Sequence, residues 1–366
     1  MDWQAAIRAE IEPMVPYAPG LRASEVHERS GRDTILKLSS NEHPAGPFPS
    51  AMRSMQAVLP RLNRYPDGSA RALRRALCER LSVADENLVV SNGSNELIRL
   101  IAQALLRPGD EVVFAWPSFV VYPMVTQMFG ATAVKVPLTA DEVHDLDAMA
   151  AAIRDRTRIV FLCNPNNPTG TIYGTEEFER FLGRVPEDVA VVVDEAYFEF
   201  VADGRYPDSL GWFDPAGRIA VLRTFSKIYS LAGLRIGYGV LPAPLACAID
   251  KVREPFNVNT VAQVAAYYSL GDEAEVERRK RENQEQKTYL YSTFDRLGIE
   301  YAASETNFVY MKTQRPVEVF EALLGEGVIV RGFGTAPALR VGVGSPDDTP
   351  VLIRALEAVA GRIGDI

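Results

Sequence analysis

The chain has 366 residues, 47% of them hydrophobic, and carries a formal net charge of −9 at pH 7. This length and apolar content allow a large buried core and indicate two domains. The negative charge argues against a general affinity for nucleic acid or anionic membranes, and no apolar run is long enough to span a bilayer.

The N-terminal sequence MDWQAAIRAE lacks the apolar core of a signal peptide. The three cysteines are few and far apart, which indicates a reducing, cytoplasmic location without a disulfide framework: Cys78, Cys163 and Cys247. The three histidines are too scattered to form a metal site, so we expect none: His27, His43 and His144.

The first 40 residues are predicted to be irregular, because three prolines interrupt any long helix. A strand-like run and a proline-rich turn follow over residues 36–49, and helices are predicted over 50–59 and 71–80. Short apolar strands and helices then alternate. The predicted strands are 88–91, 111–115, 132–138, 158–164, 189–196, 218–227 and 236–240. The predicted helices between them are 95–106, 119–129, 145–154 and 175–182. This alternation indicates an α/β fold with a mostly parallel sheet covered on both faces.

The pattern changes after residue 251 and indicates a smaller α+β domain. It predicts helices over 258–269, 273–297, 317–324 and 350–362, and strands over 307–312, 327–333 and 338–344. The basic run ERRKR at 277–281 alternates with acids, so we expect a solvated helix face. We therefore predict an N-terminal arm with part of the small domain (1–40), a large domain (41–252) and a small C-terminal domain (253–366).

Polar residues follow four of the predicted strands, over 92–95, 164–167, 194–197 and 224–227. In such sheets ligands bind beyond the carboxyl ends of the strands, so these residues should meet in one site. GSNELI, from Gly93, is either an ordinary helix cap or an anion site at a helix N-terminus. NPNNPTG, from Asn164, is a rigid loop whose asparagines face the strand ends.

Two charged residues in these segments need partners. Asp194 ends a buried strand, and its carboxylate requires either an arginine or a protonated ring nitrogen of a ligand. Lys227 stands among small residues after a buried strand, where a desolvated amine can act as a nucleophile or base. Ser226 and Arg235 beside it are suited to a bound phosphate, although a loop with solvated cations is the competing interpretation.

Together these motifs resemble the fold-type I pyridoxal-phosphate aminotransferases: DEAY at Asp194, FSK with Lys227, NPNNPTG and the downstream Arg235. Further motifs resemble histidinol-phosphate aminotransferases and their aromatic-aminotransferase relatives, and they keep the family's order: VPYAPG, SSNEHPAGP, RYPDG, GSNELI, GVIVRGF and LRVGVG. The resemblance covers nearly the whole chain. It implies that the cofactor is pyridoxal 5′-phosphate.

The resemblance also implies a role for each matching residue. Lys227 becomes the Schiff-base lysine, Asp194 the partner of the pyridine nitrogen, and Tyr197 and Asn167 the contacts of the ring hydroxyl. The phosphate would be held by Ser94, Asn95, Thr224, Ser226 and Arg235. Tyr65 would reach the phosphate in the other subunit, which implies a homodimer with shared sites. Arg340 would bind the substrate carboxylate, Tyr17 and Asn41 would line the substrate side, and Arg331 would contact a substrate phosphate.

Two positions depart from the family pattern. Phe119 replaces the tyrosine that stacks on the ring, so stacking survives and the hydroxyl is lost. His43 replaces an asparagine, and we expect it near the substrate entrance, where it could change the preference for one substrate over another.

The resemblance implies transamination between a small-molecule amino donor and a 2-oxo acid. The first hypothesis is histidinol phosphate with 2-oxoglutarate, in histidine biosynthesis. An aromatic amino-acid aminotransferase is the second, because Phe119, Phe333 and Tyr17 could pack on either ring. A pyridoxal-phosphate lyase, such as a phosphothreonine decarboxylase, is the third. A non-catalytic pyridoxal-phosphate-binding regulatory module is the fourth, but the chain has no spare basic segment for DNA and keeps Lys227.

Overall fold

The computed structural model of the chain describes residues 1–334 and 336–364. The helices it contains are α1 (Trp3–Ala6), α2 (Ala23–Ser30), α3 (Pro49–Val58), α4 (Arg71–Leu81), α5 (Ser94–Leu105), α6 (Val121–Met128), α7 (Leu146–Ala151), α8 (Thr175–Leu182), α9 (Ala243–Val252), α10 (Thr260–Leu270), α11 (Glu273–Leu297), α12 (Pro316–Gly325) and α13 (Asp348–Ile363). The strands are β1 (Leu36–Lys37), β2 (Leu88–Ser91), β3 (Glu111–Trp116), β4 (Thr132–Pro137), β5 (Thr157–Cys163), β6 (Ala190–Asp194), β7 (Ile219–Thr224), β8 (Gly237–Val240), β9 (Tyr301–Ala302), β10 (Phe308–Lys312), β11 (Val328–Ile329), β12 (Arg331–Gly332) and β13 (Ala338–Gly342).

A seven-stranded sheet in the order β2-β8-β7-β6-β5-β3-β4 forms the centre of the larger part. The pairs along β7-β6-β5-β3-β4 are parallel, and β8 runs antiparallel to both of its neighbours. The predicted α/β class with a mostly parallel sheet is therefore confirmed. Because parallel strands end at the same edge, the polar residues after β5, β6 and β7 are brought together there.

Alternate residues of the central strands face opposite sides of this sheet. Val112 and Phe114 of β3 pack in the cluster that includes α5, whereas Val113 and Ala115 pack in the cluster that includes α8. All four side chains are fully buried. Burying an aliphatic or aromatic side chain of this kind contributes roughly 1.5–3 kcal/mol relative to exposure. The two-sided burial explains why the strands appear in the sequence as continuous apolar runs.

A four-stranded antiparallel sheet, β12-β13-β10-β9, forms the smaller part together with α11, α12 and α13. Strand β1 pairs in parallel with β11, which joins the N-terminal segment to this part. Helix α10 packs against α3 and α4 of the larger part. The predicted division into 1–40, 41–252 and 253–366 remains a prediction.

Four sequence-based expectations differ from the structure. The first 40 residues contain the helix α2, and α9 has no counterpart among the predicted helices. The predicted strand over 327–333 consists of two short strands, β11 and β12. The basic run at 277–281 is not a uniformly solvated face, because Arg279 is buried.

Within the two described ranges, no helix is long and apolar enough to cross a bilayer.

Candidate active site

A cavity of about 680 Å³ lies where the strand ends of the large sheet meet the small sheet. Every predicted site residue except Tyr65 and Arg331 lines it: Tyr17, Asn41, Ser94, Asn95, Phe119, Asn167, Asp194, Tyr197, Thr224, Ser226, Lys227, Arg235 and Arg340. Residues from both ends of the chain and from four strand ends therefore face one space.

Asp194 presents a buried carboxylate to this cavity. Its Oδ2 accepts a hydrogen bond from the hydroxyl of Tyr122 at 2.9 Å, and its Oδ1 is buried without a hydrogen-bond partner among the described residues. Burial raises the pKa of Asp194 to about 6, and the bond from Tyr122 opposes that rise. A carboxylate oxygen in this state would be stabilised by a cationic or N–H donor in the cavity.

Lys227 presents a buried amine to the same cavity. Its Nζ contacts the backbone oxygen of Asn41 at 3.4 Å and lies 5.4 Å from the ring centroid of Tyr197. Burial, followed by the positive charge of Arg340, lowers the pKa of Lys227 to about 8. A larger fraction of the amine is therefore neutral near neutral pH than for a solvated lysine, as nucleophilic and proton-transfer roles require.

The N-terminus of α5 and the loop after β7 form a cradle for an anion. Helix α5 starts at Ser94 with no side-chain cap, so the amides of its first turn and the positive end of its dipole face the cavity. Arg235 donates to Ser226 at 3.5 Å, and Thr224 donates to Ser226 at 3.0 Å. Gly93 has φ 82°, and a Cβ at this position would collide with the Arg235 guanidinium. A side chain at residue 93 would thus displace a wall of the cradle.

Another part of the cavity lining combines an aromatic ring with hydrogen-bonding groups. Phe119 lines the cavity and packs edge-on against Tyr122, with ring centroids 5.7 Å apart. The hydroxyl of Tyr197 accepts from Asn41 Nδ2 at 2.7 Å. Asn167 Oδ1 accepts from Arg340 at 2.5 Å, so its amide nitrogen remains available to a ligand.

Arg340 extends from β13 of the small sheet into the cavity. It donates to the backbone oxygen of Ser39 at 2.7 Å, and its Nε is buried without a hydrogen-bond partner among the described residues. Burial lowers the pKa of Arg340 to about 10, but the group remains charged at neutral pH. A buried guanidinium of this kind is suited to a carboxylate from a substrate.

Tyr65 and Arg331 lie outside the cavity. The Tyr65 side chain is 83% exposed and stacks on Phe256, with ring centroids 4.7 Å apart. Arg331 donates to the backbone oxygen of Ala18, and its guanidinium lies 5.7 Å from the ring centroid of Tyr17, a residue that lines the cavity. The single chain therefore places Arg331 beside the site and leaves Tyr65 at the surface.

His43 does not line the cavity, although Asn41 and Glu42 directly before it do, so its place near the substrate entrance stays a prediction. Burial, followed by the charge of Arg279, lowers the pKa of His43 to about 3, so the ring is neutral at physiological pH. Its Nδ1 accepts from the backbone N–H of Ala45 at 3.1 Å. The residue closes a turn of the main chain.

Tyr122 is a site residue that the sequence motifs did not reveal. It is fully buried, and its ring stacks on Phe161 with centroids 4.6 Å apart while its hydroxyl bonds Asp194. A tyrosine one helical turn after Phe119, on the apolar face of a predicted helix, needs a partner for its hydroxyl. That requirement is visible in the sequence, but the identity of the partner is not.

The residues of this cavity fit pyridoxal phosphate, a planar ring with an aldehyde, a ring nitrogen, a hydroxyl and a phosphate. The partnerless Oδ1 of Asp194 matches a protonated ring nitrogen, and the Lys227 amine matches the aldehyde. Tyr197 and the Asn167 amide match the hydroxyl, while the cradle at α5 matches the phosphate. The fit depends most on Asp194, because no donor among the described residues satisfies its buried oxygen.

Sequence comparison gives the chain a clear set of relatives. The model of the family "Aminotransferase class I and II" matches residues 33–356. A histidinol-phosphate aminotransferase of Moorella thermoacetica is 47% identical over 358 residues, which cover 96% of this chain and 92% of the relative. A histidinol-phosphate aminotransferase 2 of Carboxydothermus hydrogenoformans is 43% identical, and the match covers 96% of this chain and 99% of the relative.

Solved structures agree in fold. The histidinol-phosphate aminotransferase of Sinorhizobium meliloti, in complex with pyridoxal-5′-phosphate, has a TM-score of 0.89 at 24% identity and covers 98% of both chains. A mutant aspartate aminotransferase of Thermus thermophilus has a TM-score of 0.85 at 24% identity and covers 96% of this chain and 99% of its own. At these identities the structures establish the fold alone, which is that of the fold-type I aminotransferases.

Proposed function

The chain belongs to the aminotransferase class I and II family, and from that membership we propose that it is a pyridoxal-phosphate-dependent histidinol-phosphate aminotransferase. Its reaction would convert histidinol phosphate and 2-oxoglutarate into imidazole acetol phosphate and glutamate, a step of histidine biosynthesis. The observation that carries the proposal is that one cavity contains both the buried amine of Lys227 and a buried carboxylate oxygen of Asp194 that has no hydrogen-bond partner among the described residues. The free thiols Cys78, Cys163 and Cys247 are compatible with the cytoplasmic location proposed with it.

Pyridoxal phosphate, when bound, would supply an aldehyde that exchanges amines and a ring that accepts electrons. Asp194 would hold a proton on the ring nitrogen through a charge-assisted hydrogen bond. Lys227, with its lowered pKa, would remove a proton from the α-carbon of the substrate and deliver it, across the shared nitrogen, to the carbon that carried the aldehyde of the cofactor. The two residues thus divide charge stabilisation and proton transfer between them.

A simple experiment tests the cofactor assignment. Borohydride treatment should attach the cofactor irreversibly to the wild-type chain at Lys227. Lys227→Ala should fold and bind the cofactor only reversibly. Covalent attachment in Lys227→Ala at the wild-type level would assign the covalent bond to a different amine.

Substrate recognition is proposed to rest on two arginines. Arg340 would hold the carboxylate of glutamate or 2-oxoglutarate with two parallel hydrogen bonds. Arg331 lies beside Tyr17 at the cavity margin, where it would meet the phosphate of histidinol phosphate, which has no carboxylate. The two amino donors would therefore use different anion contacts in one site.

Initial rates with histidinol phosphate, phenylalanine and tyrosine, each against 2-oxoglutarate, test this assignment. We expect the highest kcat/KM with histidinol phosphate. Arg331→Ala should weaken use of histidinol phosphate by about ten- to a hundredfold, the worth of one charge-assisted hydrogen bond. Phenylalanine, which has no phosphate, should be affected less. Equal losses, or wild-type activity confined to aromatic amino acids, would favour the aromatic aminotransferase instead.

The exposed position of Tyr65 supports a shared-site homodimer as part of the proposal. Its aromatic side chain and that of Phe256 form an exposed stacked pair at the surface. In a dimer, Tyr65 of the partner subunit would contact the cofactor phosphate. Mixing an inactive Lys227→Ala chain with an inactive but folded Tyr65→Ala chain should restore activity, because one hybrid site would contain both residues. If no activity returns although subunit exchange is confirmed, Tyr65 does not act across the interface.

A further inference from the structure

Helix α11 carries a buried polar stripe along one face. Arg279, Asn283 and Lys287 recur every four residues, and all three side chains are buried. Asn283 donates to the backbone oxygen of Thr306 at 3.1 Å, and Lys287 donates to that of Ser304 at 2.5 Å. The stripe therefore donates hydrogen bonds to backbone carbonyls outside the helix, and Arg279 is the member that bonds the segment after Lys227.

Arg279 joins two separate segments of the chain. It donates to the backbone oxygen of Ile228 at 3.0 Å and to the hydroxyl of Ser230, both just after Lys227. Its other terminal nitrogen donates to the backbone oxygen of Gly46 at 2.7 Å. Its guanidinium also lies 4.4 Å from the ring centroid of Phe48. One side chain thus contacts the segment after Lys227 and the turn after Asn41.

These two segments meet again inside the cavity, where Lys227 Nζ contacts the backbone oxygen of Asn41 at 3.4 Å. Asn41 has a left-handed backbone conformation, φ 56°, and its side chain donates to Tyr197. A shift of either segment would therefore move the amine relative to the substrate side of the site. Displacements of about 1 Å can reduce catalysis about a hundredfold.

We propose that Arg279 is a positioning residue that fixes the Lys227 segment against the Asn41 turn and thereby sets the position and hydration of the reactive amine. The inference rests on the proposed role of Lys227 and adds a residue outside the cavity to that role. Arg279 does not line the cavity, so it acts through the two segments.

The chemistry of the side chain explains why an arginine stands here. A buried charge is tolerated only when its donors are satisfied, and Glu275 accepts from Arg279 Nε at 2.8 Å while the carbonyls accept from the terminal nitrogens. The planar guanidinium presents donors in fixed, divergent directions. A lysine would keep the charge but could not span both segments from one rigid plane.

The test measures the pKa of the Lys227 amine directly. Full-length chains prepared without pyridoxal phosphate are labelled with acetic anhydride at a series of pH values, and acetylation at Lys227 is quantified by mass spectrometry. The variants are Arg279→Met and Arg279→Lys. Arg278→Met is the matched control, because Arg278 directly precedes Arg279 on α11 and, within residues 1–334 and 336–364, bonds only Glu275 and Glu282.

In wild type the labelling midpoint should lie near the lowered Lys227 pKa of about 8. Loss of the Arg279 contacts should admit water and raise the midpoint by about one pH unit or more, towards that of a solvated lysine. Arg279→Lys should behave like Arg279→Met, and Arg278→Met like wild type. A wild-type midpoint in folded Arg279→Met would overturn the inference. Labelling needs no substrate, so this outcome is distinct from a failure of the proposed transamination.

Hydrogen exchange on the unaltered chain decides the question if neither Arg279 variant folds. The Ser230 amide bonds the backbone oxygen of Lys227, and the Ala45 amide bonds His43, so each reports on one segment. If Arg279 joins the segments, the two amides should open together, with protection factors within about threefold. Independent openings with clearly different protection would reject the inference.

Discussion

Two buried arginines of this chain have opposite surroundings. Arg223, in β7, does not line the cavity; it lies 2.8 Å from Glu195 and 2.9 Å from Asp208, and packs on Phe198. Arg340, in the cavity, has no carboxylate within 4.0 Å in residues 1–334 and 336–364, and donates only to neutral oxygens. The pKa of Arg223 is raised above its ordinary value, whereas burial lowers that of Arg340.

The same contrast separates two neighbouring acids. Glu195 is fully buried and paired with Arg223, while Oδ1 of Asp194, one residue earlier, has no hydrogen-bond partner in the part of the chain that the structure describes. Burying a charge is costly unless it is paired, so a buried charge that lacks a partner and faces a cavity indicates a ligand that supplies one. The paired cluster stabilises the fold, and the incomplete cluster is the proposed binding site for cofactor and substrate.

The largest expected effect is on the free energy of unfolding, which should fall for one arginine variant and not for the other. Arg223→Met should lower the free energy of unfolding by about 3–5 kcal/mol, because it leaves Glu195 buried without its partner. Arg340→Met should change it by less than about 1 kcal/mol, because no buried carboxylate is left behind. Urea unfolding of the two variants without ligands provides the comparison. Equal losses would remove the distinction between the two arginines.

The next effect separates the two acids by rate. Asp194→Asn should lower kcat by about a hundred- to a thousandfold while the chain stays folded, because an amide cannot hold the ring proton. Glu195→Gln, the same chemical change one residue away, should weaken the fold and leave kcat near wild type. Steady-state rates and thermal unfolding of both variants are the measurements. Near-wild-type turnover in Asp194→Asn would remove that residue from the mechanism.

A smaller effect concerns the geometry of Arg340. Arg340→Lys keeps the charge but loses the paired hydrogen bonds, so KM for 2-oxoglutarate should rise by about ten- to a hundredfold. KM for histidinol phosphate, which has no carboxylate, should rise less. The ratio of the two KM values checks the prediction, and a parallel rise in both would argue that Arg340 serves the whole site rather than a carboxylate.

The sequence predicted the strands of the large sheet and most of the cavity, because both depend on local features. Continuous apolar runs determine strands that are buried on two faces, and the parallel arrangement brings the residues after them to one edge. The amino-acid sequence alone is therefore enough to place Asp194 and Lys227 in the same site.

Other features depend on contacts that no local pattern contains. Arg279 belongs to a run that alternates with acids, and only the distant carbonyls of Ile228 and Gly46 explain its burial. The partner of the Tyr122 hydroxyl likewise comes from a strand far along the chain. The proposed role of Tyr65 in a second copy of the chain rests on the family resemblance of the sequence, because the single chain leaves this residue at the surface.

Lys287 sharpens the comparison most, through a change in stability that is small per pH unit. It is a fully buried cation that bonds the carbonyl of Ser304, yet it does not line the cavity, so burial without a paired carboxylate does not by itself indicate a ligand.

Burial lowers the pKa of Lys287 to about 8, with the charge of Glu305 opposing the change. The unfolded chain keeps this proton up to about pH 10.4, so the folded chain binds fewer protons between about pH 8 and 10.4. The free energy of unfolding that Lys287 contributes should therefore rise with pH across this window, by about 1 kcal/mol per pH unit. Lys287→Met should lose this rise and keep its transaminase activity, whereas Lys251→Met, at an exposed position, should keep the wild-type slope. Urea unfolding of the three chains at several pH values tests the argument, and a wild-type slope in Lys287→Met would show that the amine reaches water in the folded chain.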